Sequence, residues 1–386
     1  MYVASFLLPW KEPVLLEGEG AFNKLPSYLK NLQLKSILII TDQGIVKAGL
    51  LEGFLAALDE NEMQYVVFDQ VVANPTIENI ESCVALYRQY HCQGIVAVGG
   101  GSPMDCAKGA GARIARPNKK IPDLKGLLKV RKKLPPLVAV PTTAGTGSET
   151  TIAAVVTDSE SHHKYAINDP MLIPHTAVMD PLLTTKLPKH ITSTTGMDAL
   201  CHAVEAYIGK GNTKQTKADA VEAVTLIFDH LYRAYENGED IVARKNMQKA
   251  SFLAGRAFTR AYVGWVHAIA HTLGGFYQIP HGLANAVVMP YVFRAYGKSA
   301  YQKLAQLGEI IGVKGDTQQE KAEAFIKEIE HLNEKMGIEK TFPQIREEDI
   351  QQMVQYAASE ANPLYPTPKI ILAQEAEKIY RSIKGK

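Results

Sequence analysis

The stretch GIVAVGGGSPMDCAKG, residues 94–109, frames the first half of the chain. Residues 94–98 form a short apolar run suited to a buried strand. Gly99, Gly100 and Gly101 follow as a turn without Cβ atoms, so a ligand can approach the backbone closely. Residues 103–115 then have helical character, with Pro103 in the first turn and Ser102 as the expected N-cap. Strand, glycine turn and helix together make one unit of an α/β sheet. The free N–H groups and positive dipole at such a helix start suit a pyrophosphate. The turn is neither GxGxxG nor a Walker loop, so a purely structural turn stays open on this segment alone.

Working outward, residues 36–41 (SILIIT), 65–68 (YVVF) and 137–141 (LVAVP) read as further strands, and 50–60 and 77–90 as helices. Repeated βα units imply a largely parallel sheet covered by helices. A second polar turn, PTTAGTGSE at 141–149, follows the last of these strands and offers Thr142, Thr143 and Thr146. Two such loops at strand carboxyl ends fit the place where open α/β sheets bind ligands. The strand at 36–41 leads into Asp42, whose carboxylate can accept from ribose hydroxyls and would repel a 2′-phosphate. That favours NAD over NADP, with a simple Asx turn before Gln43 and Gly44 as the alternative.

Beyond residue 186 the pattern turns helical, with helices expected at 194–208, 217–236, 240–260, 283–296, 299–311 and 318–336. The fold class is therefore α/β followed by all-α. Residues 1–185 form a dinucleotide-binding domain and 186–386 a helical metal-binding domain, joined through the proline-bearing stretch at 180–190.

With 42 basic and 40 acidic residues and a net charge of +2, nothing points to nucleic acid or an anionic membrane as partner. Cys83, Cys92, Cys106 and Cys201 are widely spaced, form no CxxC pair, and read as free, mostly buried thiols of a reducing compartment. No secretory signal and no bilayer-spanning run is evident, so a cytoplasmic location is expected.

The chemistry concentrates at GWVHAIAHTLGGFYQIPHG, residues 264–282. His267 and His271 are one helical turn apart on one face, and His281 follows a proline at a helix start. Neutral imidazole is the commonest protein ligand for a transition metal, and burying three imidazoles without a task is costly. Upstream, Asp198 and His202 share a face of another helical pattern, TTGMDALCHAVEAYIG at 194–209. Glu205, one turn beyond His202, either supports the site or is solvated. Spacing alone leaves His267 and His271 equally eligible as ligands.

The ordered segments GGGSPMD, PTTAGTGSE, GMDALCHAVEAY and HAIAHTLGGFYQIPHGLANAVVMP resemble the iron-dependent, or group III, alcohol dehydrogenases over nearly the whole chain. The resemblance implies a Rossmann-like N-terminal domain and a helical C-terminal one. It implies Asp198, His202, His267 and His281 as metal ligands, with His271 beside the nicotinamide as a proton relay. Gly99, Gly100, Gly101 and Ser102 would hold the pyrophosphate, Thr142, Thr143 and Thr146 the nicotinamide side, and Asp42 the adenosine ribose. Asn74 matches the family's NPT turn near the cofactor, and Lys164 a family lysine. Ala153, Phe258 and Val263 would line a pocket for a small, mostly apolar alcohol, diol or aldehyde. Nitrogen and carboxylate ligands suit Fe(II) or Zn(II) rather than calcium or magnesium.

The implied activity is reversible, NAD-linked alcohol oxidation by hydride transfer. Rivals are an NAD-using lyase of the dehydroquinate-synthase kind and a hydroxyacid–oxoacid transhydrogenase. Family members often pair, so a homodimer or larger homo-oligomer is expected, and the alternation in MYVASFLLPW suits a pairing edge. The remaining histidines, at 91, 162, 163, 175, 190, 230 and 331, are expected on surfaces or loops.

Overall fold

The computed structural model describes residues 11–159 and 164–385. The chain divides into two units, Met1–Lys186 and Leu187–Lys386. MYVASFLLPW, His162 and His163 lie outside the described residues.

The first unit runs β1 (Val14–Glu17), α1 (Leu25–Asn31), β2 (Ser36–Ile40), α2 (Gln43–Lys47), α3 (Glu52–Glu60), β3 (Gln64–Phe68), α4 (Ile77–Gln89), β4 (Gly94–Gly99) and α5 (Gly101–Ala115). It continues through β5 (Gly126–Leu127), β6 (Leu137–Pro141), β7 (Ala153–Thr157), β8 (Lys164–Asn168) and β9 (Thr176–Met179). Six strands form a parallel sheet in the order β1-β9-β6-β4-β2-β3. Its central strands are apolar because both faces are covered. Leu38, Ile40, Ile95, Ala97, Leu137 and Ala139 enter one core. Their neighbours Ile37, Ile39, Val96, Val98, Val138 and Val140 enter the core on the other face. Strand β2 is flanked by β3 on one side and β4 on the other, so the chain reverses direction across the sheet there. The crevice at the carboxyl ends of β2 and β4 is thus the topological switch point, where doubly wound sheets bind ligands.

Two expectations need correction. Helix α5 begins at Gly101 with Gly100 as N-cap, so Ser102 is inside the first turn rather than capping it. The glycine tolerates the cap conformation, and the Ser102 hydroxyl is used elsewhere. A second sheet, β5-β8-β7, and the strands β1 and β9 were not anticipated. Most of these are very short, or paired at an edge, and carry little periodicity.

The second unit is helical throughout its described residues. Its helices are α6 (Lys189–Ile208), α7 (Lys214–Glu236), α8 (Ile241–Ala261), α9 (Trp265–Tyr277), α10 (His281–Tyr296), α11 (Tyr301–Ile310), α12 (Gln318–Lys335), α13 (Glu347–Ala361) and α14 (Ala373–Lys384). Helices α13 and α14 were missing from the expected set, and α9 was present there only as the shared face of His267 and His271. Helix α6 is the central rod: every residue from Gly196 to Ile208 is buried, and it packs against α7, α8 and α10. Such a helix can present Asp198 and His202 only to the interior. Among the described residues no helix is long and apolar enough to cross a membrane. The four cysteines are free and buried.

Candidate metal centre and dinucleotide loops

In the second unit, Asp198 and His202 come from α6, His267 from α9 and His281 from the first position of α10. One donor atom from each of these four residues lies within 4.8 Å of the others. The Nε2 atoms of His202 and His267 are each 4.0 Å from Asp198 Oδ1, and that of His281 is 3.5 Å away. Metal–ligand arms of about 2.0–2.2 Å opening on one centre give separations of this size. His271 is outside the converging set. Its ring stacks on that of His281, centroids 5.2 Å apart, and stands edge-on to His267 at 6.1 Å.

Asn285, one turn after His281 on α10 and fully buried, lies among the donors. Its Nδ2 group donates to Asp198 Oδ1 at 2.7 Å and lies 3.1 Å and 3.3 Å from Nε2 of His281 and His267. Two N–H hydrogens face three lone-pair acceptors there, while the Asn285 carbonyl oxygen has no partner among the described residues. A convergence of lone pairs exceeding its hydrogens, all nitrogen and carboxylate oxygen, fits a borderline transition-metal cation.

Glu205 is buried, not solvated, and it organises His267. Its carboxylate accepts from the N–H groups of Gly264 at 2.7 Å and Val266 at 2.9 Å. It also accepts from His267 Nδ1 at 2.6 Å. With Nδ1 committed, Nε2 is the lone-pair atom facing Asp198. Cys201 Sγ lies 3.7 Å from the same Nδ1, so Cys201, Glu205 and His267 also cluster. The donors spent on Glu205 make that cluster a support for His267 rather than a second ion site. Burial pushes Glu205 up to about 7, opposed by those backbone N–H groups. Burial, and then the neighbouring His202, His281 and His271, hold His267 well below the usual histidine range, as a neutral ligand requires. Phe258 stacks on His202, ring centroids 4.1 Å apart, and adds an apolar wall.

Changing Glu205 to Gln should lower metal affinity about 10–100-fold, the usual cost of losing such an outer partner. Competition with a chelator of known affinity measures it. An unchanged affinity would mean that Glu205 only fills space.

In the first unit the two glycine-bearing loops meet. Gly99 sits at φ +149°, and a Cβ there would strike Pro103 Cγ at 2.5 Å. A Cβ on Gly100 would come within 3.3 Å of Thr143 Oγ1, and one on Gly101 within 3.1 Å of Thr146 Cγ2. The backbone N–H of Thr142 donates to Gly99 O at 3.0 Å. Asn74, left-handed at φ 60°, donates its N–H to Ser102 Oγ at 3.2 Å, so the NPT turn is tied to the start of α5. Asp42 caps α2, with Oδ1 accepting from Ile45 N at 3.1 Å. Lys164 opens β8, paired opposite Thr157, and Ala153 starts β7.

A buried polar brace under these loops was not foreseen. Lys108 Nζ donates to Ser148 Oγ at 3.0 Å, Thr151 Oγ1 at 2.7 Å and the carbonyls of Thr151 and Ala153 at 3.1 and 3.0 Å. Asp105 accepts from Ser148 Oγ at 2.9 Å and Val155 N at 3.0 Å. Burial brings Lys108 down to about 8 and Glu149 up to about 7. The available signal was a charged pair one turn apart among small residues, MDCAKGAGA.

Two family models match the chain. Iron-containing alcohol dehydrogenase covers residues 13–181, and Fe-containing alcohol dehydrogenase family, C-terminal, covers residues 192–384. Alcohol dehydrogenase 4 of Schizosaccharomyces pombe is 39% identical over 95% of this chain and 87% of its own length. The NAD-dependent methanol dehydrogenase of Bacillus methanolicus is 36% identical over 98% of this chain and its full length. A solved 1,3-propanediol oxidoreductase superposes with a TM-score of 0.93 at 37% identity, covering 97% of this chain and 98% of that one. The parallel sheet, the helical second unit and the carboxylate–imidazole cluster thus accompany sequence likeness along almost the whole chain, which belongs to the iron-containing alcohol dehydrogenase family.

Proposed function

We propose that this oxidoreductase oxidises small alcohols or diols, and reduces the matching aldehydes, with NAD. Fe(II) or Zn(II) would be held by Asp198, His202, His267 and His281. The observation that carries the reading is the convergence of one carboxylate oxygen and three imidazole nitrogens in a buried frame. When bound there, the ion supplies Lewis acidity toward the alcohol oxygen and NAD accepts the hydride. The chain's own residues do the rest. Glu205 and Asn285 hold the donor atoms in place, Phe258 offers an apolar surface beside His202, and His271 carries the proton outward. The loops after β2, β4 and β6 bind the dinucleotide. Gly99, Gly100, Gly101 and Ser102 take the pyrophosphate, Thr142, Thr143 and Thr146 the nicotinamide side, and Asp42 the ribose, with Asn74 and Lys164 nearby. The named activities of the methanol and 1,3-propanediol relatives support a short alcohol or diol as substrate.

The test is turnover by chelated protein reloaded anaerobically with Fe(II) or with Zn(II), given methanol, longer alcohols and 1,3-propanediol. Accumulating NADH supports the reading. A lyase would return the cofactor unchanged, and a transhydrogenase would turn over with no free cofactor added.

Asp42→Ser keeps a side-chain oxygen for the α2 cap and removes the charge. The NADP-to-NAD ratio of kcat/KM should rise about tenfold or more, because a like-charge contact costs at least the ~1.4 kcal/mol that a tenfold change represents. A ratio equal to the parent's would remove Asp42 from cofactor choice.

The free, buried thiols support a cytoplasmic setting. Among the described residues strand β1 pairs only with β9 and leaves Val14 and Leu15 53% and 38% exposed, which supports pairing of two copies along that edge.

A further inference from the structure

His271 is followed, far along the chain, by a carboxylate that holds it. Its Nδ1 meets Glu360 Oε1 at 2.7 Å, across 89 residues of sequence. The same oxygen accepts from Tyr365 Oη at 2.6 Å. Glu360 lies in the last turn of α13, which packs against α9, the helix that carries His271. The Tyr365 N–H donates to Ala361 O at 2.9 Å, so the tyrosine is fastened to the end of α13. At the next residue of α9, Thr272 Oγ1 and Tyr380 Oη meet at 2.6 Å and fasten α9 to α14.

The His271 side chain is 45% exposed. An imidazole so exposed would turn about its ring bond and populate both tautomers, and either nitrogen could then face the substrate. A carboxylate on one nitrogen removes that freedom. We infer that Glu360, steadied by Tyr365, is the positioning residue of His271: it takes the Nδ1–H and leaves Nε2 as the nitrogen that exchanges the substrate proton. The inference rests on the proposed role of His271 as proton carrier. It adds the group that gives the ring one orientation and one tautomer.

The test uses zinc-loaded full-length protein with ¹⁵N-labelled histidine, and His271 is assigned by its loss in His271→Gln. The parent should show His271 as a single species with Nδ1 protonated. Glu360→Gln can either donate or accept, so the two nitrogens should average. Its kcat should fall about tenfold or more, a part of the roughly 10²–10⁴-fold that a positioned acid–base side chain supplies, with zinc content and NAD affinity unchanged. Glu360→Asp should recover part of both signals. Tyr365→Phe, which loses one hydroxyl and no charge, should give an intermediate fall and guards against a Glu360 variant that does not fold.

A single unchanged tautomer in Glu360→Gln, or a loss of zinc together with activity, would overturn the inference. If the parent oxidises no alcohol, the functional reading fails, while the nitrogen signals still decide whether Glu360 holds the ring.

Discussion

Replacing His267 by alanine should empty the metal centre and stop turnover while NAD still binds. Among the four proposed ligands His267 has a carboxylate partner at 2.6 Å: Glu205 fixes its Nδ1, and its Nε2 faces Asp198. Removing it takes one nitrogen from a set of four donors and leaves Glu205 buried with only its backbone partners. A Lewis acid contributes several kcal/mol to such chemistry, so losing about 4 kcal/mol corresponds to roughly a thousandfold drop in rate. Metal analysis after dialysis and NADH accumulation with a good alcohol read the two effects separately. Cofactor titration supplies the control, because the proposed NAD-binding residues all lie in the first unit, with cores of its own. Normal turnover by this variant after thorough chelation would end the metal reading. The companion change, His271→Ala, should slow the reaction and leave the metal in place, since that ring is outside the converging set.

Gly282→Ala should disrupt the same proposed centre without replacing any of its four side chains. A Cβ on Gly282 would lie 2.3 Å from the carbonyl oxygen of Thr194 and 2.8 Å from its carbon. Both are backbone atoms of α6, so no side chain can rotate out of the way. Gly282 directly follows His281, and Thr194 is one turn ahead of Asp198, so α10 can yield only by moving His281 away from Asp198. Overpacking of this kind costs about 1–3 kcal/mol even in the absence of metal. The metal affinity should fall as well, by at least about tenfold if the shift costs the bound state a further ~1.4 kcal/mol. Melting curves with and without chelator, together with a metal competition titration, measure both. Gly275→Ala provides the contrast. It sits within α9 with open space where a Cβ would go. There the substitution should leave metal binding intact and stabilise the helix by about 0.5–1 kcal/mol. If the two variants behave alike, close approach of α10 to α6 is not what shapes the site.

Much of the α/β half was legible because its signals are local. Runs such as SILIIT and GIVAV are apolar at nearly every position, as strands buried on both faces must be, and the observed β2 and β4 match them closely. Helix ends were less legible. Helix α6 begins several residues before the expected 194, and α5 takes Gly100 rather than Ser102 as its cap. Capping depends on which nearby groups need a partner, and the Ser102 hydroxyl is taken by the N–H of Asn74. The short sheet β5-β8-β7 escaped notice because pairing between remote segments leaves no periodic trace in two to five residues.

The chain alone settles what spans a single helical turn. Asp198 with His202, and His281 with Asn285, are four residues apart, and helix geometry puts each pair on one face whatever the rest of the molecule does. Local spacing is blind between His267 and His271, which share a face by the same rule. Packing of α9 against α10 and α13 separates them: one ring turns toward Asp198 and the other toward Glu360. The same holds for Glu205, Asn285 and Glu360 as supports, and for the brace of Lys108 and Asp105. Burial and hydrogen-bond partnership are set by every element that crowds a side chain, so they emerge when the helices assemble and cannot be read from neighbours in the chain.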